Sequence, residues 1–293
     1  MENILEIKGL NKAYEGFALK DVSFSIPRGY IMGFVGQNGS GKTTTIRAIL
    51  NMAKIDSGKI SVFGMDSVMD IIAIKERLGL VFDSLYLADH LNVKQVEAQL
   101  RPFYKDWSSD EFFRRIREFD LPDNRKIGNF SKGMKMKLMI AALSHNAELI
   151  ILDEPTSGLD PVACDELLDI LAEYIEDENR GVLFSTHITA DVERIADYVT
   201  ILHNGRVWFT GTKDDLCASY AVIKSGSEDI SPALKEKCIG FHAYRNGFDA
   251  LIETAYLDKA PTFLETEKAS IDEILVYIAK EDKHERRSEN DTV

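Results

Sequence analysis

Apolar and polar positions alternate in Val22-Ser23-Phe24-Ser25-Ile26, and the turn signal Pro27-Arg28-Gly29 follows at once. Such a period of two marks a half-buried strand running into a turn. The stretch from Ile4 to Gly64 is strand-rich throughout and builds the first part of a sheet. Short, unbroken apolar runs follow a different pattern: Ile31-Met32-Gly33-Phe34-Val35, Leu149-Ile150-Ile151-Leu152, Val182-Leu183-Phe184-Ser185 and Val199-Thr200-Ile201-Leu202. They have the length and content of strands buried on both faces. Helical patterns separate them. Thr43 to Leu50 reads as one helix, a second opens at Asp160-Pro161, and a third covers Ala190 to Ile195. Aspartate ahead of proline suits a helix start, because the carboxylate accepts from free N–H groups and proline needs no hydrogen bond there. Repeated strand–helix units imply an α/β core with parallel strands.

The pattern turns helical from about Asp83 to Asn129, in segments such as Val93–Leu100 and Ser109–Ile116, and again in Lys135–Leu143. This predicts an inserted helical subdomain over about residues 84–145. Phe103, Tyr104, Trp107, Phe112 and Phe113 crowd it. They form either its small core or part of a partner-facing groove. Beyond Gly211 the pattern is mixed and weaker, although Ser270-Ile271-Asp272-Glu273 is a capping box ahead of an apolar helical run. The last stretch, Glu281 to Val293, is polar and expected to fray. The chain holds no internal repeat.

With 293 residues and 45% hydrophobic content, the chain can bury a sizeable core. Its formal charge of −13 argues against non-specific attraction to nucleic-acid phosphate. Cys164, Cys217 and Cys238 lie in no metal-ligand spacing, so reduced thiols in a cytosolic protein are expected. No apolar stretch reaches the roughly 18 residues of a membrane span. Any membrane function would therefore use another chain.

Candidate chemistry begins at Gly36-Gln37-Asn38-Gly39-Ser40-Gly41-Lys42-Thr43, with Thr44 following, placed between a predicted strand and a predicted helix. Glycines at these positions let backbone N–H groups converge on phosphate oxygens, and the helix N-terminus adds partial positive charge. Lys42 would reach the β- and γ-phosphates, and the Thr43 hydroxyl would hold Mg²⁺. The apolar strand at 149–152 ends in Asp153-Glu154-Pro155. Asp153 is expected to bind the metal directly or through water, and Glu154 to orient and deprotonate the water that attacks the γ-phosphate.

Asn129-Phe130-Ser131-Lys132-Gly133-Met134, just ahead of a helical run, resembles the signature loop of the ATP-binding-cassette family, more closely the branch of exporters whose permeases are separate short membrane proteins. Lys132 and Met134 replace the glycine and glutamine of the strict pattern. The resemblance implies phosphate contacts through the Ser131 hydroxyl and the Gly133 N–H. It also implies that Ser157-Gly158-Leu159-Asp160 is the loop crossing a dimer interface. On the same ground His187 is the switch histidine touching the γ-phosphate and Glu154, and Tyr14 is the aromatic stacked on adenine. The family places glutamine or glutamate where Leu80-Val81-Phe82-Asp83 has aspartate. Asp83 is a further candidate for contacting Mg²⁺ through water, with altered coupling to the helical subdomain.

The resemblance covers roughly Ile4 to Gly211. It implies an α/β fold: a P-loop NTPase core with an antiparallel β subdomain, an inserted helical subdomain and a small C-terminal α/β appendix. Residues 1–212 would form the nucleotide-binding domain and 213–293 an accessory region. The expected activity is Mg²⁺-dependent ATP hydrolysis. Two such subunits, alike or different, would sandwich two ATP molecules at the cytoplasmic face of the membrane and drive separately encoded permease subunits. The expected cargo is an exported peptide, antibiotic or lipid-like compound. No nucleic-acid partner is expected. A soluble cassette ATPase acting on ribosomes or DNA is the other reading, and a regulatory module that closes on ATP without useful hydrolysis is a third.

Overall fold

The computed structural model describes residues 2–82, 87–143, 145–226, 230–259, 261 and 264–290, with the backbone alone at 258–259 and 283–290. The chain divides into two compact units, Met1–Thr210 and Gly211–Val293.

In the first unit, β1 (Asn3–Tyr14) pairs antiparallel with β2 (Phe17–Pro27) and with β4 (Ser57–Val62), and β4 continues to the short β5 (Met65–Asp66). The alternation at 22–26 is borne out, since Val22, Phe24 and Ile26 are buried. The strand-rich start divides between two sheets, however. β3 (Ile31–Val35) leaves this layer for a six-stranded sheet of order β10-β9-β3-β8-β7-β6. Its members are β6 (Leu78–Phe82), β7 (Leu149–Asp153), β8 (Gly181–Thr186), β9 (Tyr198–His203) and β10 (Arg206–Thr212). β6, β7, β8, β3 and β9 run parallel, and every residue of β3, β7 and β8 is buried. That follows from their apolar runs, which offer no polar face to water. One apolar cluster joins the two sheets and α1 (Lys42–Ile49), with Ile46, Ile49, Leu5, Leu10, Phe34 and Leu183 among its members.

Following α2 (Ile71–Glu76), a helical insert between β6 and β7 comprises α3 (Val93–Leu100), α4 (Ser109–Glu118) and α5 (Lys132–Ala141). Asn92 and Gln95 form a capping box at α3, and Ser108 caps α4. Its core gathers Val93, Val96, Phe112, Ile116, Ile127 and Leu138. Among the five aromatics, Phe112 is fully buried, Trp107 and Phe113 pack against this core, and Phe103 is exposed. Tyr104 joins Leu80, Phe82, Leu87, Leu100 and Met139 in an apolar groove of about 170 Å³. The remaining helices of the unit are α6 (Pro161–Tyr174), capped by Asp160, and α7 (Thr189–Ile195).

The second unit is a four-stranded sheet of order β12-β13-β11-β14, formed by β11 (Tyr220–Ser225), β12 (Ile239–Tyr244), β13 (Gly247–Glu253) and β14 (Glu265–Lys268). It carries α8 (Lys213–Ser219), α9 (Pro232–Lys235) and α10 (Ile271–Asn290). Phe248, Ala250 and Ile252 pack on Leu234 and Cys238. The capping box is present: Ser270 Oγ accepts from Glu273 N at 3.2 Å, and Glu273 Oε2 accepts from Ser270 N at 3.0 Å. The helix it starts runs to Asn290 rather than fraying from Glu281. Lys280 to Asn290 contains neither glycine nor proline and is rich in Glu, Lys and Arg, which favour helix. All three cysteines are free thiols.

Candidate nucleotide site

At the C-terminal end of β3 the chain wraps through residues 36–41 into α1. Two glycines are required by close approach. A Cβ on Gly36 would lie 2.3 Å from the Leu202 carbonyl oxygen and 2.6 Å from Ser40 Oγ. Gly41 combines a left-handed backbone (φ 114°) with Leu19 Cδ2 only 2.5 Å from where its Cβ would stand. Gln37, Asn38, Gly39 and Gly41, with Lys42, Thr43 and Thr44 at the helix start, line a pocket of about 460 Å³ closed by Gly16, Phe17 and Glu154. Gly36 and Ser40 lie beneath the loop rather than in the lining, and Ser40 Oγ is a buried hydroxyl without a hydrogen-bond partner. Gly36→Ala should therefore act through the loop's shape, destabilising the chain by roughly 1–3 kcal/mol and weakening nucleotide binding. Thermal melts alongside a nucleotide titration check both effects, and an unshifted melt would mean that the loop gives way freely.

Lys42 is 5% exposed and folds back over the loop, its Nζ donating to the Gly36 carbonyl at 2.7 Å. The same ammonium is 3.1 Å from Glu154 Oε1, and Glu154 Oε2 lies 2.6 Å from His187 Nδ1. Three residues far apart in sequence thus form one chain of contacts at the C-terminal ends of β3, β7 and β8. Strand register explains the meeting, since β8 lies between β3 and β7 with Asp153 opposite Ser185.

Ser185 is the functional neighbour that sequence reasoning left without a role. Its hydroxyl donates to Asp153 Oδ1 at 2.5 Å, and the Glu154 N–H points at both its Oγ and its carbonyl, each at 3.1 Å. Its place two residues before His187 was a usable signal, because neighbouring parallel strands bring their last residues side by side. Glu154 itself has φ 53°, a left-handed conformation that costs energy in a non-glycine residue and turns its carboxylate into the pocket. Phe17, likewise missed, closes the pocket.

Several expected residues lie elsewhere within this chain. Tyr14, at the end of β1, is half-exposed with the Lys12 ammonium 5.1 Å from its ring centre, and it does not line the pocket. Ser131 caps α5 by accepting from Met134 N at 3.2 Å. Gly133 sits against α6, where an added Cβ would be 3.0 Å from Ala163 Cβ. Neither lines the pocket. Asp160 caps α6 through Val162 N and Ala163 N. Asp83 falls outside the described residues.

The donor set fits a nucleoside triphosphate. Backbone N–H groups of the loop and a buried ammonium surround a cradle that a single Cβ at Gly36 would spoil by pressing on Ser40 beneath it. For a divalent ion, Thr43 in the lining offers a hydroxyl and Asp153 a buried carboxylate. Among the described residues no cluster of three or more His, Cys, Asp or Glu could hold a metal. A Mg²⁺ ion bound through one carboxylate, one hydroxyl and phosphate oxygens needs no such cluster.

Parallel strands, a glycine loop opening a helix, and an aspartate–glutamate pair ending the strand two places away define a P-loop nucleotide-binding protein. Comparison with known proteins narrows the class. Residues 19–157 match the family described as ABC transporter. The ABC transporter ATP-binding protein NatA of Bacillus subtilis is 33% identical over 230 residues, spanning 76% of this chain and 91% of NatA. The bacitracin transport ATP-binding protein BcrA of Bacillus licheniformis is 31% identical over 260 residues, 86% of this chain and 85% of BcrA. A solved ATP-binding subunit of an ABC transporter superposes with a TM-score of 0.66 at 35% identity, covering 73% of this chain and 91% of that one. The chain belongs to the ABC transporter family, as an ATP-binding subunit, and the family's reaction is transport-coupled ATP hydrolysis. No described helix is long and apolar enough to cross a membrane.

Proposed function

We propose that this chain is the ATP-hydrolysing subunit of an exporter, docked at the cytoplasmic face of the membrane on separately encoded permease subunits, with a peptide, antibiotic or lipid-like cargo. The contact chain Lys42–Glu154–His187 carries the hydrolytic part of this reading, because it joins a phosphate-binding cation, a base and a proton-bearing ring in one site. The cargo class rests on the likeness to BcrA, whose name states bacitracin transport.

Residues 37–44 bind the triphosphate and Lys42 meets its β- and γ-oxygens. Glu154 takes the proton of the attacking water, while His187 holds the Glu154 carboxylate and touches the γ-phosphate. Thr43 and Asp153 would hold Mg²⁺, with Asp83 as a further contact through water, and the ion would supply neutralising charge at the phosphate oxygens. Tyr14 stacks on adenine from the edge of the site. Ser131 and Gly133 lie away from the pocket of their own chain, which supports a two-subunit sandwich in which they complete the partner's site. The apolar groove through Leu80, Phe82 and Tyr104 is the site for the permease contact. Residues 1–212 act as the nucleotide-binding domain and 213–293 as an accessory region, a reading supported by the compact division after Thr210.

Gentle detergent purification of the tagged chain from its native membranes tests the assignment. A stoichiometric multi-span protein should co-purify. Recovery only in the soluble fraction, with ribosomes or nucleic acid attached, overturns the transporter assembly.

A further inference from the structure

A second buried carboxylate lies between the segments that follow Glu154 and His187. Asp191 sits in the first turn of α7, four residues after His187, and is 6% exposed. Its Oδ2 accepts from Thr156 Oγ1 at 2.6 Å, and its Oδ1 faces Cys164 Sγ at 3.8 Å. Thr156 is buried and follows Glu154 by two residues, in the turn that leads to α6, and Cys164 lies on α6 itself. One carboxylate therefore ties the segment carrying Glu154 to the helix that follows His187. These are the same two segments that meet at the 2.6 Å contact between Glu154 and His187.

An acid in the first turn of α7 suits the helix dipole, but that does not call for burying it in the seam. The rim of the α6–α7 seam already holds Arg194 paired with Asp165 and Asp169, both exposed. Burying a carboxylate against a hydroxyl and a thiol gains no ion pair, and an apolar side chain would fill such a seam at lower desolvation cost. Burial, reinforced by the Asp191 charge, pushes the Cys164 thiol up, so sulfur stays a neutral donor. What the carboxylate adds is direction, because a hydrogen bond fixes the Thr156 hydroxyl and with it the turn. That turn starts at Glu154, whose left-handed backbone persists only when its surroundings restrain it. Ser185 restrains it from the strand side and the Asp191–Thr156 bond from the helix side.

We propose that Asp191 is a positioning residue for ATP hydrolysis, holding Glu154 against His187 through its bond to Thr156. The inference rests on the roles given to Glu154 and His187 above. It predicts a fault in turnover rather than in nucleotide binding, since neither Asp191 nor Thr156 lines the pocket.

The test uses the full-length chain carrying Asp191→Ala, Asp191→Asn, Thr156→Val and the double substitution Asp191→Ala with Thr156→Val. Turnover at saturating ATP, equilibrium ATP binding and thermal melts are measured for each. Asp191→Ala and Thr156→Val should each lower kcat by roughly 10- to 100-fold, the scale of a misplaced catalytic group, with Kd within about twofold. Asp191→Asn keeps an acceptor for Thr156 and should restore most of the rate. The double substitution should be no slower than the worse single one, because both remove the same contact. Additive losses, or a normal kcat in the folded Thr156→Val chain, overturn the proposal and leave Asp191 a purely structural residue. If Asp191→Ala fails to fold, Thr156→Val and Asp191→Asn decide the matter by themselves. A Glu154→Gln control separates the two levels. Normal turnover there overturns the Glu154 role, whereas lost turnover there beside an unaffected Thr156→Val overturns the Asp191 proposal alone.

Discussion

Glu154→Gln should bind ATP more tightly than the parent chain while hydrolysing it roughly 10²- to 10⁴-fold more slowly, the usual worth of a positioned general base. The rate loss follows from chemistry, because an amide of nearly the same shape cannot take a proton from water. The tighter binding follows from geometry. Glu154 Oε1 stands 3.1 Å from the Lys42 ammonium, so carboxylate and incoming phosphate compete for one buried cation. Removing that competitor should favour ATP by about 1 kcal/mol, close to fivefold. Steady-state hydrolysis and equilibrium titration with ATP, run on the same preparation, read both effects. Hydrolysis at the parent rate would remove Glu154 from the reaction. Slow hydrolysis with weakened binding would instead show that its pairing with Lys42 shapes the cradle.

Lys42→Ala should show the opposite pattern, with ATP affinity lost first. The ammonium is 5% exposed and is anchored by the Gly36 carbonyl, so it is aimed before any phosphate arrives. Charge-assisted hydrogen bonds of this kind are worth about 2–3 kcal/mol, or roughly 30- to 150-fold in Kd. The substitution also leaves the Glu154 carboxylate facing the triphosphate without an intervening cation, which adds repulsion. ADP should lose less affinity than ATP, because the γ-phosphate adds most of the charge near Glu154. Calorimetric titration with both nucleotides measures the difference. Unchanged ATP affinity would count against Lys42 as the phosphate-binding cation.

Much of this architecture could be read directly from residue pattern. The buried runs at 31–35, 149–152 and 182–185 became central parallel strands, and the capping signals at Ser270 and Asp160 mark real helix starts. Each depends on local rules: what a pleated strand can bury, and which side chain can satisfy a free N–H. The glycine–lysine loop was legible for the same reason, since its conformation is written in its glycines. Local pattern was less informative where partners come from afar. The place of β3 between β9 and β8, and the continuation of α10 to Asn290, were not read from it.

Residue types and their spacing determined that this chain has a phosphate cradle, a carboxylate-ended strand and a helical insert, because those features arise within a few consecutive residues. Three-dimensional packing decided which of them meet. The register of β7 against β8 puts Ser185 on Asp153 and the Glu154 N–H, and only the strand order brings Lys42, Glu154 and His187 into contact. It likewise decided that Phe17 rather than Tyr14 closes the pocket, that Ser131 and Gly133 stay away from it, and that Asp191 reaches Thr156. These are contacts between residues up to 112 positions apart, from Lys42 to Glu154, and their formation depends on how whole strands and helices pack. No short-range pattern encodes that arrangement.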